Sequence, residues 1–167
     1  VGTRAEVEAA AGAGSRVDTT FAGKTVIAGF VEQHVHPVLA ALTMNSKVIS
    51  IEDWDAIDGF SPAVRDEAGY MQRLKQALAA HKDKSKPFIT WGYHHYMHGK
   101  NLSRQLLDEL APDFPVIVWH RSCHEFFLNT AALKLAGIDE AFIETFPASA
   151  KAQLDFAKGH FFEQGAM

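Results

Sequence analysis

The chain has 167 residues, of which 47% are hydrophobic and 22% are charged, and its formal net charge is −4. These values are typical of one globular domain, and they give no reason to expect nucleic acid or an anionic membrane as a partner. No apolar run approaches the roughly 20 residues that cross a bilayer. The single cysteine, Cys123, excludes an intrachain disulfide and suits a reducing, cytoplasmic location.

The first half of the chain predicts alternating helices and strands. A short helix should begin after Thr3, because Thr3 and Glu6 have the spacing of a capping box. The segment TVIAGFVEQHVH, residues 25–36, is rich in Val, Ile and Phe without strict alternation, which favours a strand covered on both faces. A helix is predicted over 38–47, a second strand over 47–54 and a turn region over 58–67.

The second half continues this order. Residues 68–82 have apolar side chains at helical spacing and predict an amphipathic helix. Two further strands are predicted over 87–97 and 114–126, and two further helices over 102–112, capped by Ser103, and over 128–138. A repeated strand–helix order with short connections predicts a parallel α/β sheet.

Histidines follow the predicted strands where the strands end. His34 and His36 end the first strand, residues 91–98 include His94, and residues 120–125 include His120 and His124. Sites in parallel α/β folds are built at the carboxyl edge of the sheet. We therefore expect these segments to meet at one edge.

The pair His34 and His36 has the spacing of two metal ligands on a strand. Residues i and i+2 of a strand point to the same face, and neutral imidazole is a good ligand for Zn²⁺. A catalytic zinc ion needs about three protein ligands and an open position, so further ligands must come from elsewhere. The alternative is a buried structural pair without a metal.

The wider sequence around these histidines resembles a known family. GKTVIAGFVEQHVHP, residues 23–37, resembles the opening of the metal-dependent amidohydrolase superfamily, in which the first barrel strand ends in the His-x-His metal pair. Residues 87–138 resemble the amidohydrolase 3 branch that includes N-substituted formamide deformylases. The matching positions are Trp91-Gly92-Tyr93, Leu107-Asp108, Pro112-Asp113, His124, Asn129 and 131–138.

This resemblance implies a (β/α)₈ TIM barrel, of which the chain holds the first strands only. Residues 1–25 then form the end of a small N-terminal β-domain with its linker, and residues 26–167 form the first part of the barrel. A whole barrel takes about 250 residues, so we expect the chain to be a fragment. The general-base Asp is expected beyond residue 167, which leaves no catalytic residue within the fragment.

The resemblance also assigns roles to individual residues. It implies that His34, His36 and Glu163 are metal ligands, with Lys158 as the weaker alternative to Glu163, for one or two divalent ions that we expect to be zinc. His124 is expected to bind substrate, together with His120, Tyr93 and His94. His120-Arg121 departs from the common Asp-Gly-His form of the branch, which leaves the substrate preference open. A Cys123–His124 nucleophile is disfavoured, because adjacent residues rarely aim at each other.

The predicted function is metal-dependent hydrolysis of a small-molecule amide or formamide at a non-peptide carbon–nitrogen bond. The expected partners are this substrate and either a second copy of the chain or the missing remainder of the barrel, since unpaired strand edges associate. The alternative is a non-catalytic truncated α/β module that binds a metal or a partner chain. A doubly wound nucleotide-binding domain is disfavoured, because no G-x-G-x-x-G or P-loop follows a strand.

Overall fold

The computed structural model describes residues 2–27, 29 and 36–166, and the chain divides into two compact units, residues 1–35 and 36–167. In the first unit, α1 (Arg4–Ala11) begins as predicted. The Thr3 side chain accepts from the Glu6 backbone N–H, and the Glu6 carboxylate accepts from the Thr3 N–H at 2.7 Å. Of the strand predicted over 25–36, the described positions 25–27, 29 and 36 are not in a strand, and the others lie outside the described residues. The domain boundary at 25/26 stays a prediction.

The second unit contains seven α-helices and eight strands within the described residues. The helices are α2 (Pro37–Met44), α3 (Glu67–Ala80), α4 (His95–His98), α5 (Arg104–Leu110), α6 (Thr130–Ala136), α7 (Glu140–Glu144) and α8 (Ala148–Lys151). The strands are β1 (Lys47–Val48), β2 (Trp54–Ala56), β3 (Gly59–Ser61), β4 (Phe88–Tyr93), β5 (Val116–His120), β6 (Glu125–Leu128), β7 (Leu154–Asp155) and β8 (His160–Phe162). A 3₁₀ turn, Glu163–Gly165, follows β8. Within the described part of the chain, every helix is too short or too polar to cross a bilayer.

Six strands form one mixed sheet in the order β1-β4-β5-β6-β8-β7. Strands β1, β4 and β5 are parallel, as predicted, but β6, β8 and β7 join antiparallel. The predicted parallel sheet is therefore confirmed for β1, β4 and β5, whereas the antiparallel half was not predicted. Only residues 121–124 separate β5 from β6, and a parallel connection needs a dozen residues or more. The β2–β3 hairpin was also missed, because residues 58–67 were predicted as turn.

Apolar side chains cover both halves of this sheet. On the parallel half, α3 and α5 bury Leu74, Leu78 and Leu107 against β4 and β5. On the antiparallel half, α6 and α7 bury Leu133 and Ile143 with Phe161 of β8. A third cluster is formed by Val48, Trp91 and Trp119, with Leu39 of α2 packed against it. The core therefore holds the ends of β4, β5 and β8 at fixed positions.

Gly92 interrupts β4 just before the polar segment. Its φ is +111°, and the β4–β5 register shifts between Trp91 and Tyr93. A Cβ at Gly92 would lie 2.6 Å from the Ile49 carbonyl oxygen, which belongs to the backbone and cannot move aside. The irregularity therefore requires glycine, and it sets the direction in which Tyr93 and the following histidines leave the strand.

Replacing Gly92 by alanine is expected to lower the free energy of unfolding by about 3 kcal/mol, because it adds a backbone clash to an unfavourable φ. Chemical denaturation measures this change. Gly137→Ala is the matched control, since Gly137 also has a positive φ, +69°, but its Cβ would meet no atom within 4 Å. Its cost should stay near 1 kcal/mol. Equal costs for the two variants would contradict this account.

His98 is a buried histidine of α4 that is held in its neutral form. Its Nε2 lies 2.8 Å from the Val64 carbonyl oxygen, its Nδ1 accepts the His94 N–H at 3.1 Å, and its ring stacks on Tyr70. Burial lowers the pKa of His98 below its usual value, and the hydrogen bond to Val64 opposes this only in part. A proton on Nδ1 of His98 would break the hydrogen bond that this atom accepts from the His94 N–H. The folded chain therefore disfavours the charged imidazolium.

The free energy of unfolding should therefore fall as the pH drops below about 6.5. Below that pH the unfolded chain binds a proton at His98 that the folded chain binds less readily, so acid favours unfolding. Denaturation curves at pH 7 and pH 5.5 measure this loss for the parent chain and for His98→Gln. The variant should be less stable at pH 7 and lose less stability on acidification. An identical loss in both chains would refute the role of His98.

Candidate metal sites at the strand ends

The predicted site residues separate into two groups. The first surrounds His124, and the second surrounds His120. Side chains alternate along β6, so that His124 and Phe126 line one cavity, whereas Glu125 and Phe127 line another. The two groups therefore lie on opposite faces of the antiparallel half of the sheet.

The first group forms a cavity of about 420 Å³, which we call the His124 cleft. Its lining includes His36, Leu39, Cys123, His124, Phe126 and Glu163. The Nδ1 atom of His124 lies 3.1 Å from Oε2 of Glu163, and the Glu163 backbone N–H donates to the His124 carbonyl oxygen at 2.9 Å. Two predicted metal ligands and the predicted substrate-binding histidine thus line one cavity, although they are far apart in the sequence.

The His124 cleft also contains both non-glycine residues of the described chain that have a positive φ. These are Cys123, with φ 66°, and Glu163, with φ 48°. Each such conformation costs about 1–2 kcal/mol in an L-residue, and strained residues of this kind are concentrated at functional sites. The side chains of His124 and Glu163 are 60% and 53% exposed, so their ion pair adds little stability. Their donor atoms remain accessible to a ligand.

The second group, which we call the His120 cluster, consists of His94, His95, His120, Glu125 and His160. The Nδ1 atom of His95 lies 3.2 Å from Nε2 of His120. Oε1 of Glu125 lies 3.8 Å from Nδ1 of His120, and Oε2 of Glu125 lies 3.1 Å from Nε2 of His160. One donor atom from each of His95, His120 and Glu125 can be chosen so that all three lie within 4.8 Å of one another.

His120 is the buried centre of this cluster, with 6% of its surface exposed. Burial lowers the pKa of His120 to about 4; Glu125 opposes the shift, and the neighbouring His95, His94 and His160 add to it. His120 is therefore a neutral imidazole at pH 7, which is the form that binds a metal ion.

The other two residues predicted to bind substrate, Tyr93 and His94, make contacts within the protein. Tyr93 is buried in the core, where its hydroxyl donates to the Gly99 carbonyl oxygen and burial raises its pKa to about 12. His94 is half-buried, and its ring centroid lies 5.8 Å from that of His120. His34 lies outside the described residues, so the His-x-His pair as a whole stays a prediction.

Two alternatives were considered for the site, Lys158 in place of Glu163 and a Cys123–His124 nucleophile. Lys158 lines the cavity with Glu125 and His160, and its Nζ lies 3.3 Å from Asp155. It therefore lies on the face opposite to Glu163. The Cys123 thiol contacts the Arg121 carbonyl oxygen at 3.8 Å, which leaves the Cys123–His124 nucleophile without a supporting hydrogen bond among the described contacts.

Sequence reasoning missed three members of the His120 cluster. His95, Glu125 and His160 were not predicted as site residues. Glu125 meets His160 because β6 pairs with β8, which lies about 35 residues later in the chain. A prediction of separate strands over 116–120 and 125–128 would have placed Glu125 at a strand end, but His160 joins it only through the β6–β8 pairing.

Comparisons with known proteins agree with these observations. The amidohydrolase family model matches residues 21–160. The chain is 31% identical over 143 residues to the N-substituted formamide deformylase of Arthrobacter pascens, covering 83% of this chain and 24% of that protein. It is 29% identical over 121 residues to the exoenzymes regulatory protein AepA of Pectobacterium carotovorum subsp. carotovorum, covering 70% of this chain and 24% of that protein.

Among solved structures, an uncharacterized metal-dependent hydrolase from Pyrococcus furiosus is similar with a TM-score of 0.51 at 16% identity. The match covers 81% of this chain and 23% of that one, and at this identity it shows a shared fold. The chain thus spans about a quarter of the length of the curated relatives that it matches.

Proposed function

Because the chain belongs to the amidohydrolase family, we propose that it forms the first part of a metal-dependent hydrolase. The bond cleaved is a non-peptide carbon–nitrogen bond of a small amide or formamide. The observation that carries this proposal is the His124 cleft, in which His36, His124 and Glu163 line one cavity. The similarity to an N-substituted formamide deformylase supports the choice of bond.

The residues of the cleft suit a divalent ion. His36 and Glu163 of the cleft would hold the ion, together with His34 as the sequence predicts. These three residues supply two imidazoles and one carboxylate, a donor set that zinc accepts. When bound, such an ion lowers the pKa of a water molecule and polarises a carbonyl group.

The remaining side chains of the cleft would position the substrate. In the proposed reaction His124 contacts the substrate, and the hydrogen bond that its Nδ1 donates to Oε2 of Glu163 orients the ring. Leu39 and Phe126 give the cleft an apolar wall that excludes water from a small amide. The general base remains assigned to an aspartate in the part of the hydrolase beyond residue 167.

We place the described sheet within a (β/α)₈ barrel. Three parallel strands, β1, β4 and β5, support this placement, because helices α3 and α5 lie in the connections between them. The strands β6, β8 and β7 are then an antiparallel extension that carries Glu163 to the cleft. In this proposal the remaining strands of the barrel belong to the other part of the hydrolase.

The exposed apolar face of α2 suggests where that further chain would pack. Val38 is 71% exposed, Leu42 52% and Met44 49%, and such surfaces favour association. We propose that the missing remainder of the barrel, or a second copy of this chain, covers it. Size-exclusion chromatography should show an assembly larger than the monomer, whereas a stable monomer at all concentrations would contradict self-association.

The activity is tested with a longer natural chain that contains these residues, loaded with zinc. We expect release of formate from N-substituted formamides, measured with a coupled formate assay, and no cleavage of peptides of similar size. The same protein treated with a chelator should be inactive and should recover when zinc is returned. Stoichiometric zinc without hydrolysis of any formamide or amide would favour the non-catalytic alternative.

A further inference from the structure

The His120 cluster lies outside the His124 cleft, and the proposed hydrolysis does not use it. Its members come from four elements, since His95 begins α4, His120 ends β5, Glu125 begins β6 and His160 begins β8. Four imidazoles and one carboxylate are gathered around one partly buried point. This arrangement needs a reason, because buried polar groups are costly unless each has a partner.

The distances within the cluster fit a tetrahedral ion. Zinc–nitrogen bonds of about 2.0–2.1 Å place two ligand nitrogens about 3.3 Å apart in a tetrahedron. The His95 Nδ1 and His120 Nε2 atoms are 3.2 Å apart, so an ion can bind both after a small movement. The Glu125 carboxylate supplies the third donor within the 4.8 Å set, and it brings the negative charge that a divalent ion requires.

The surrounding hydrogen bonds leave these donor atoms available. Ser122 Oγ lies 2.8 Å from Nδ1 of His120, and the Ser122 backbone N–H donates to the same atom at 3.1 Å. In the tautomer whose Nδ1 carries the proton and donates to Ser122 Oγ instead, Nε2 is free for an ion. His160 binds Oε2 of Glu125, so that Oε1 remains for an ion. In addition, Nδ1 of His94 is buried beside the cluster and makes no hydrogen bond within the described part of the chain.

We propose that His95, His120 and Glu125 bind a second divalent transition-metal ion, with zinc as the best match. This ion is separate from the one assigned to the His124 cleft, and it crosslinks the start of α4, the end of β5 and the start of β6. Its role is to fix these three segments relative to one another. The inference does not depend on the proposed hydrolase activity.

The experiment is a titration of the metal-free chain with Co²⁺, followed by visible absorption, because tetrahedral Co²⁺ absorbs strongly and replaces Zn²⁺ in such sites. The variants are Glu125→Gln, which keeps the size of the side chain without its charge, and His95→Asn, which keeps a polar side chain without the imidazole. Each should weaken the tight Co²⁺ binding at least about 100-fold, since loss of even an outer-shell partner costs 10–100-fold. Co²⁺ should also raise the melting temperature of the parent chain and not that of the variants.

Two controls assign this signal to the His120 cluster. His81→Asn removes a histidine near the opposite end of β4, where its ring contacts Phe88, and should leave the tight binding unchanged. Glu163→Gln removes a proposed ligand of the His124 cleft, so Co²⁺ bound in that cleft should be lost while the equivalent assigned to the His120 cluster remains. Absence of tight Co²⁺ binding, equal affinity in Glu125→Gln and His95→Asn, or loss of all binding in Glu163→Gln alone would each overturn the proposal. Circular dichroism of the metal-free variants verifies that they are folded.

Discussion

Glu163→Gln is expected to lower formamide hydrolysis by the longer chain at least about 100-fold and to reduce its bound zinc. The carboxylate is the only acidic group among the described residues lining the His124 cleft. Glutamine keeps the size of the side chain and its hydrogen bonding to His124 but removes the charge that a divalent ion requires. The measurements are kcat with an N-substituted formamide and the zinc content of the purified protein.

Glu144→Gln is the matched control for this prediction. Glu144 is also exposed and pairs with Lys151 at 2.5 Å, but it belongs to α7 and does not line the cleft. Its replacement should leave both activity and zinc content at the parent level. Parent-level activity and zinc content in Glu163→Gln would show that Glu163 is an ordinary surface residue.

Asn129→Ala is expected to lower the free energy of unfolding by about 4 kcal/mol. The Asn129 side chain is fully buried, and its Oδ1 accepts from the backbone N–H groups of Val116 and Ala132. Its Nδ2 donates to the carbonyl oxygens of Ala111 and Phe114. Alanine leaves these four backbone groups buried without that partner, and each unsatisfied group costs about 1–3 kcal/mol before the structure relaxes.

Guanidinium denaturation of the parent chain and the variant measures this loss. Asn45→Ala provides the comparison, because Asn45 is exposed and its side chain donates a single hydrogen bond, to the Ala41 carbonyl oxygen. The Asn45 variant should lose less than about 1 kcal/mol. Similar losses for the two variants would show that the Asn129 network does not stabilise the fold.

Much of the fold could be predicted because local chemistry determined it. The capping box at Thr3, the apolar spacing of α3 and the cap at Ser103 are short-range signals, and the corresponding helices form. The antiparallel half could not be predicted in this way. Strands β7 and β8 have two and three residues, and their pairing with β6 depends on contacts between distant parts of the chain.

The candidate site residues also divide into those that sequence patterns predicted and those that depend on contacts between distant parts of the chain. A family motif led to His36, His124 and Glu163, and these residues line one cleft. His95, Glu125 and His160 belong to no motif that we recognised, and only the β6–β8 pairing and the turn into α4 bring them to His120. Sequence patterns therefore identified the residues of a recurring site, whereas a cluster built from strand pairing required the three-dimensional structure.

The most direct test of the central claim is an anomalous difference map at the zinc absorption edge from crystals of the zinc-loaded protein. A peak is expected in the His124 cleft within bonding distance of His36 and Glu163, about 2.0–2.2 Å from their donor atoms. A map with zinc bound elsewhere and no peak in that cleft would contradict the assignment of His36 and Glu163 as ligands of a hydrolytic metal ion.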